Sequence, residues 1–166
     1  DYSKYPEVNE FKDKLEKGLK RFAKELEARG ERVVNGEPTI YGILYDEDGN
    51  SKKIGGATDL ITIDKQNRIR IYDFKSFLST DLDEGKLSDR KVKWTKQLNT
   101  YRELFKSHGY EIESLAVLPV AIDYGQENTK VIGLTFTGAT IPIDKTTDQL
   151  AYKTDNYIPS KKVTQP

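Results

Sequence analysis

Two β-rich runs, residues 56–63 and 69–75, constrain the fold of this 166-residue chain more than any other feature. A hairpin with its loop at residues 65–67 would join them. The opposed pairs that this hairpin predicts are Ile63 with Ile69, Ile61 with Ile71, and Asp59 with Asp73. Because side chains alternate along a strand, all six would share one face. The prediction is therefore an isoleucine ladder that ends in two facing carboxylates.

Facing carboxylates favour a bound divalent cation. Directly opposed residues have Cβ atoms ~4.5–5.5 Å apart, so Asp59 and Asp73 would repel each other. Mg²⁺ is commonly held by one or two carboxylates together with waters and phosphate oxygens. Lys75 follows Asp73 on the same face, where it could orient a water or stabilise negative charge on a phosphate. These residue types suit metal-dependent hydrolysis of a phosphodiester.

A structural alternative accounts for the same residues. Asp59 and Asp73 could lie at a solvated strand end with Lys75 as a surface salt-bridge partner. The pattern acid-x-Lys is weak by itself, because it occurs at Glu10-Phe-Lys12, Asp73-Phe-Lys75, Glu84-Gly-Lys86 and Asp89-Arg-Lys91. Only the second lies in a predicted strand with an acid opposite, and a register slip of one residue would separate the acids.

A second predicted helix, residues 90–107, carries an unexpected polar group. Its apolar face consists of Trp94, Leu98, Tyr101, Leu104 and Phe105. Gln97 falls within that face, four residues before Tyr101, so the two side chains are neighbours. A buried glutamine needs hydrogen-bond partners. A phosphate or a metal-bound water would satisfy it, and so would an ordinary core environment.

The charge is balanced over the chain but not around this helix. Lys+Arg and Asp+Glu each number 27, yet cations outnumber anions in residues 84–106. A local positive surface is where a polyanion would dock, and we expect nucleic-acid contacts from Arg90, Lys91, Lys93 and Lys96. The alternative is a solvated lysine-rich helix face.

Composition excludes several classes of site. The chain has no cysteine and one histidine, which excludes disulfides, thiolate metal sites and a cysteine nucleophile. His108, near the end of the second helix, is expected to be a solvated C-terminal cap. We find no membrane span and no signal peptide. Since the chain starts at Asp1 and lacks methionine, we expect a fragment or a processed product.

The order of the elements predicts the fold class. An amphipathic helix over residues 7–29 stops at Gly30. The predicted strands are 39–45, 56–63, 69–75, 113–122, 130–136 and 139–143. This order predicts an α/β (α+β) domain over residues 1–150 with a central mixed sheet. Residues 151–166 lack a pattern and are expected to be a polar tail or linker.

Three short motifs carry a family resemblance. Gly56-Ala-Thr-Asp59, Asp73-Phe-Lys75 and Gln97-Leu-Asn-Thr-Tyr101 together resemble the PD-(D/E)XK nuclease superfamily, most closely its RecB-type exonuclease branch. The resemblance implies a restriction-endonuclease-like core, a central mixed sheet flanked by helices. It also implies Mg²⁺ or Mn²⁺ bound by Asp59, Asp73 and the Phe74 carbonyl, with Lys75 as the catalytic lysine. Gln97 and Tyr101 would place the scissile phosphate or the DNA strand.

The chain departs from that branch at one point. Members usually carry a further His or Glu ligand from a helix that precedes these motifs. The first helix here has no histidine, and Glu16 and Glu25 lie at the edges of its apolar stripe. Glu37 is a candidate for the missing ligand. Otherwise the ligand lies upstream of Asp1, or the site binds metal poorly.

The resulting hypothesis is a cytoplasmic metal-dependent nuclease acting on DNA, or on RNA. It would be a module of a phage or mobile-element protein with other domains. One alternative is a nuclease-fold module that binds nucleic acid or acts as a scaffold with little or no catalysis. Another is an unrelated α/β interaction domain in which the motif matches are accidental.

Overall fold

A computed structural model describes residues 6–35, 39–78, 84–124, 131–136 and 139–156. The candidate ligand Glu37 lies outside the described residues. In chain order the elements are α1 (Pro6–Ala28), β1 (Arg32–Asn35), β2 (Thr39–Tyr45), β3 (Ser51–Ala57), β4 (Leu60–Ile63), β5 (Ile69–Leu78), α2 (Glu84–Ser107), β6 (Ile112–Tyr124), β7 (Val131–Thr135) and β8 (Ile141–Ile143).

A mixed sheet flanked by two helices forms the core, as predicted. Its strand order is β1-β4-β5-β6-β7, and β8 also pairs with β6. The β5–β6 pair is parallel and the other pairs are antiparallel. Strands β2 and β3 form a separate two-stranded sheet. The architecture is that of a restriction-endonuclease-like core.

The register predicted for the central hairpin is confirmed. Strands β4 and β5 pair Ile63 with Ile69 and Ile61 with Ile71. The turn closes where the Asp64 amide donates to the Arg68 carbonyl at 3.0 Å. Both strands present isoleucines to a buried face, and burial of one face fixes a register because a slip would expose the whole set.

A continuous strand over residues 56–63 is wrong. The chain leaves the small sheet at Ala57, and β4 begins only at Leu60, which pairs with Tyr72. The predicted ladder pair of Asp59 with Asp73 therefore does not form, because Asp59 lies in the connection between the two sheets. Gly55 and Gly56 pair with Tyr41 and Ile40 of β2, so this segment belongs to the small sheet and not to the central hairpin.

Alternation along β5 assigns its side chains to two cores. Ile71 and Phe77 face α2, where they pack with Trp94 and Leu98. Tyr72 faces α1 and packs with Phe22, whose ring meets it edge-on at 5.5 Å. Since Asp73 and Lys75 alternate with Tyr72 and Phe74, both charged side chains lie on the α2 side of the sheet.

Both predicted helices are present, but the second begins earlier in the chain than predicted. Helix α1 ends as predicted, with Gly30 at a φ of 72°, the left-handed conformation that glycine tolerates. Helix α2 begins at Glu84 rather than at residue 90. Its added turn brings Leu87 against the core on that side, an apolar contact within a polar stretch. Strand β1 was not predicted.

His108, which was expected to be a solvated cap of the second helix, has a hydrogen-bond partner on another element. Its ring nitrogen makes a short hydrogen-bond contact with the Tyr41 carbonyl of β2. The side chain is exposed, but it connects α2 to the small sheet instead of capping its own helix.

Residues just after position 150 contact the domain. Lys153 exchanges two backbone hydrogen bonds with Tyr45, at 2.8 and 3.2 Å. The Thr154 amide donates to the Glu103 carboxylate at 2.9 Å, and Lys106 pairs with Asp155 at 2.7 Å. The boundary at residue 150 stays a prediction, and these contacts bear on where the folded unit ends.

Candidate active site

Asp73 and Lys75 meet on the α2 side of β5. Asp73 is only 4% exposed, and its Oδ2 lies 2.8 Å from the Lys75 Nζ. That oxygen is in ion-pair contact but accepts no hydrogen bond with good angular geometry. Burial raises the pKa of Asp73, the Lys75 ammonium opposes the rise, and the neighbouring Asp59 carboxyl adds to it. The carboxylate is thus an under-coordinated anion that a cation would stabilise.

Asp59 reaches the same place by a different route from the one predicted. Its Oδ2 accepts a hydrogen bond from the Phe74 amide at 2.7 Å. The side chain therefore lies at the edge of β5, just beyond the pair of Leu60 with Tyr72 at which the pairing of β4 with β5 ends. Its carboxyl lies near enough to Asp73 to help raise the pKa of that residue. The two acids are brought together without being a cross-strand pair.

The Phe74 carbonyl faces the side of the strand on which Asp59 lies. The N–H and C=O of one strand residue point to the same edge, as they do in a hydrogen-bonded antiparallel pair. Because the Phe74 N–H points to Asp59, its carbonyl does too. The predicted third oxygen donor is therefore oriented away from β6 and towards the acids.

Gln97 and Tyr101 extend the site across α2. Lys75 Nζ donates to Gln97 Oε1 at 2.7 Å, and Gln97 Nε2 donates to the Tyr101 hydroxyl at 3.2 Å. The glutamine on the apolar face is accordingly satisfied by the candidate catalytic lysine. The structure brings Asp59, Asp73, Lys75, Gln97 and Tyr101 into one continuous polar cluster.

The four predicted nucleic-acid contacts do not share one helix face. Arg90 and Lys93 precede Gln97 by seven and four residues, so helical spacing places them on its side of α2. The Arg90 guanidinium lies 5.7 Å from the Phe77 ring centre. Lys91 and Lys96 are exposed on other sides of the helix.

On α1, neither acid at the edge of the apolar stripe is buried. Glu16 is exposed and pairs with Lys20 at 3.5 Å, and Glu25 is exposed. Across the described part of the chain, no group of three or more His, Cys, Asp or Glu side chains could hold a metal ion. The donors that do converge are two carboxylates and one carbonyl. These hard oxygen ligands, with a buried carboxylate oxygen short of partners, fit Mg²⁺ or Mn²⁺.

Sequence reasoning missed the packing role of Gly56. A Cβ at this position would lie 2.5 Å from Cε1 of Tyr101, so the glycine makes room for the ring. The sequence shows a glycine at this position of the G-x-x-D motif, but it does not show that Tyr101 packs against it. Finding it requires knowing that β3 leaves the main sheet and packs on α2.

The family follows from comparison over nearly the whole chain. The sequence model of the PD-(D/E)XK nuclease superfamily matches residues 3–152. The chain belongs to the PD-(D/E)XK nuclease superfamily. Members of this superfamily are generally nucleases, phosphodiesterases that typically use divalent metals, so a nucleic-acid substrate is implied. A search of curated proteins gives no match.

Within the ranges that the structure describes, neither helix is sufficiently long and apolar to cross a bilayer.

Proposed function

We propose that this domain is a Mg²⁺- or Mn²⁺-dependent deoxyribonuclease of the RecB-type branch. The observation that carries the proposal is the position of the Lys75 ammonium. It is held 2.8 Å from Asp73 and 2.7 Å from Gln97, and the Asp59 carboxyl lies near enough to Asp73 to raise its pKa. A lysine serving only as a surface salt-bridge partner would not need a glutamine from another element to fix it.

In this proposal, Asp59, Asp73 and the Phe74 carbonyl hold the cation. When bound, it polarises the scissile phosphate and lowers the pKa of a coordinated water. Asp73 would then be an ionised ligand, because a neighbouring cation favours the charged form of a carboxyl group.

Lys75 has the chemistry to act on the phosphate directly. An ammonium has three N–H donors; one is donated to Gln97 at 2.7 Å, and the nitrogen lies in ion-pair contact with Asp73 at 2.8 Å. A remaining donor stabilises negative charge on a phosphoryl oxygen or orients the attacking water. Gln97 and Tyr101 are positioning residues here, since they fix the ammonium through a hydrogen-bond chain that ends at the Tyr101 hydroxyl, and the Tyr101 ring packs on Gly56.

The substrate strand is proposed to follow α2. Arg90 and Lys93 lie on the Gln97 side and would contact phosphates nearest the cluster, with Lys91 and Lys96 contributing longer-range attraction. RNA is the other nucleic acid that this charge pattern would accept. Cytoplasmic action, as one domain of a phage or mobile-element protein, stays a prediction.

A second candidate function has one observation in its favour. The described residues supply only two acids to the cluster, where a third His or Glu ligand is usual for the branch. A nuclease-fold module that binds nucleic acid with little or no catalysis would have such a site.

The deciding experiment compares two lysines in similar tripeptides. Asp73→Asn and Lys75→Ala should each lower the cleavage rate of plasmid and linear DNA by ~100-fold or more with Mg²⁺ or Mn²⁺, without loss of the folded state. Lys12→Ala is the matched control, because Glu10-Phe-Lys12 has the same acid-x-Lys pattern and Lys12 is an exposed residue of α1. If the Lys75 variant cuts like the parent, the proposed role is wrong.

A thermal titration separates the two candidate functions. Mn²⁺ that binds the folded state raises its stability by RT ln(1 + [L]/Kd), and Asp73→Asn should abolish that rise. Stabilisation by Mn²⁺ with DNA binding but no cleavage would favour the binding module. The absence of both metal and DNA binding would contradict both functions.

A further inference from the structure

A polar pocket of about 340 Å³ lies on the α1 side of the sheet, away from the candidate active site. Three arginines line it: Arg29 after α1, Arg68 beside the hairpin turn and Arg70 near the start of β5. Arg70 precedes Lys75 by five residues, about 16 Å along a strand, and this odd spacing places the two side chains on opposite faces. Sites for small molecules begin at about this volume, and the proposed function gives the pocket no role.

Two buried carboxylates hold the guanidinium groups in fixed positions. Asp64 accepts hydrogen bonds from Arg70 Nη1 at 2.6 Å and from Arg68 Nε at 2.8 Å. Glu31 accepts one from Arg29 Nε at 2.7 Å. Backbone amides and hydroxyl groups donate further hydrogen bonds to the two acids. The acids are therefore well satisfied, and the arginines are held in place before a ligand enters.

The arginines retain N–H donors that no group in the described part of the chain uses. A guanidinium has five such donors. Among the described residues, Arg70 has a hydrogen-bond partner only at Nη1, although its side chain is only 19% exposed. Arg29 donates from Nε and from Nη2, the latter to the Tyr72 hydroxyl at 3.4 Å. Unused donors in a partly closed pocket favour a ligand that is rich in acceptor oxygens.

The charges of the pocket favour an anion. Its lining holds three guanidinium groups and two carboxylates, which leaves one positive charge. Glu113 pairs with Arg68 at 3.5 Å, but its side chain is 41% exposed and its charge is screened by water and salt. Arg29 and Arg70 each lie near enough to the Tyr72 hydroxyl for an electrostatic interaction. Both guanidinium groups therefore approach the same part of the pocket.

A phosphate group matches these donors better than a carboxylate does. Guanidinium groups bind phosphate oxygens in bidentate pairs, and a phosphate has at least three oxygens to share between two guanidinium groups. A carboxylate has only two. The hydroxyl groups of Ser114 and Thr140, which also line the pocket, are available to the remaining phosphate oxygens.

We propose that this pocket binds a phosphate dianion, either inorganic phosphate or the terminal phosphate of a small molecule, held by Arg29 and Arg70. The site is separate from the proposed cleavage site, and its occupancy requires no metal ion and no nucleic acid. Because binding alone tests it, failure of the nuclease function would leave the proposal standing.

Calorimetric titration with sodium phosphate, in metal-free buffer with EDTA and with ionic strength held constant by sodium chloride, measures the site. We expect one phosphate per chain with a Kd of about 1 mM or lower. Glycerol 3-phosphate distinguishes the two sources: affinity equal to that of phosphate supports a phosphate ester, and much weaker affinity supports the free anion. Glycerol should not bind. Absence of binding by both phosphate compounds overturns the proposal.

Three substitutions of arginine by glutamine locate the bound anion. Arg70→Gln and Arg29→Gln should each raise the Kd for phosphate about tenfold or more, because each removes charge-assisted hydrogen bonds. Arg32→Gln is the matched control, since it makes the same charge change at an exposed arginine of β1 outside the pocket lining, and it should leave the Kd unchanged. Equal effects of all three variants, or no effect of the first two, overturn the proposal.

A substitution that keeps every arginine gives an independent test. After Arg70→Gln, Asp64 still has its bonds from Arg68 and from two backbone amides, and thermal melts without phosphate verify that the fold is retained. Thr140→Asp leaves the guanidinium groups in place and adds a negative charge to the lining. It should abolish phosphate binding by repulsion. Undiminished binding in this variant would place the phosphate elsewhere and contradict the proposal.

Discussion

At the scale of single residues, Asp64 shows how one carboxylate fixes the turn of the central hairpin. Its side chain is buried, yet it accepts hydrogen bonds from the amides of Gln66 and Arg68, both at 2.9 Å. It also pairs with Arg70 at 2.6 Å and with the Arg68 guanidinium at 2.8 Å. Burial works to raise the pKa of Asp64, but these bonds outweigh it and hold the pKa well below its ordinary value.

This depressed pKa predicts the pH dependence of one variant. Since the folded pKa lies below the unfolded value near 3.8, the contribution of Asp64 to stability is complete above that pH and is lost as the pH falls through the folded pKa. Asp64→Asn should therefore lower the free energy of unfolding at pH 7, and by less at about pH 3. Urea unfolding at both pH values measures the difference.

Asp48 supplies the control for that variant. It is an exposed acid in the other hairpin turn, so Asp48→Asn should leave stability nearly unchanged at either pH. A penalty for Asp64→Asn that is the same at both pH values would contradict the assigned cause.

At the scale of elements, Gly56 lets the small β2–β3 sheet pack closely on α2. Gly56 faces the Tyr101 ring, which is half-buried and hydrogen-bonded to Gln97. Gly55 points the other way, towards the ring of Tyr41, which is 61% exposed. The two neighbouring glycines thus differ in whether the ring beside them can move.

We expect this difference to appear in two alanine variants. Gly56→Ala should lower the free energy of unfolding by about 1–3 kcal/mol, the usual cost of overpacking, and reduce cleavage because Tyr101 and Gln97 shift. Gly55→Ala should have a much smaller effect on both, since the exposed Tyr41 ring can rotate away. Thermal melts and cleavage rates measure the effects, and equal penalties would show that ring mobility does not matter.

The sequence predicts some elements well because one physical signal dominates them. The pairing of Ile61 with Ile71 was predictable, since alternating isoleucines allow one buried register. The departure of β3 from that hairpin was not, because Gly55 and Gly56 have no side chain to indicate a face. The sequence predicted that Asp59 and Asp73 lie close together. It did not predict that a hydrogen bond to the Phe74 amide holds Asp59 there, because that bond depends on β4 starting only at Leu60.

Other features gave no local signal at all. Glu31 is buried and accepts hydrogen bonds from Thr62 at 2.7 Å and Tyr72 at 2.5 Å. Hydrogen bonds of this kind outweigh the effect of burial and lower the pKa of Glu31. A carboxylate in a polar stretch is ordinarily exposed, so only the tertiary structure reveals these partners.

At the scale of the whole molecule, the segment after residue 150 completes the surface of α2. Glu103 is fully buried, and both the amide and the hydroxyl of Thr154 donate to its Oε2. Its other carboxylate oxygen has no hydrogen-bond partner among the described residues. The C-terminal segment thus supplies bonds that this buried acid requires.

Truncation tests where the folded unit ends. A chain ending at Leu150 loses the Thr154 bonds and the Tyr45–Lys153 bridge, so that among the described residues Glu103 keeps an ion pair with Arg102 at 3.8 Å but no side-chain hydrogen bond. We expect its free energy of unfolding to fall by ~2 kcal/mol or more relative to a chain ending at Asn156. Denaturant unfolding of the two truncated chains gives the difference, and equal stabilities would favour the boundary at residue 150.

The location of Asp59 between the two sheets affects the temperature at which the proposed activity would be lost. Local opening of a peripheral unit requires less free energy than global unfolding, and the β2–β3 hairpin leads directly into this acid. Detachment of the hairpin would pull one carboxylate away from its neighbour while the six-stranded sheet stayed closed. Moderate heating would thus separate the two acids, and stop the proposed cleavage, at a temperature below that of global unfolding.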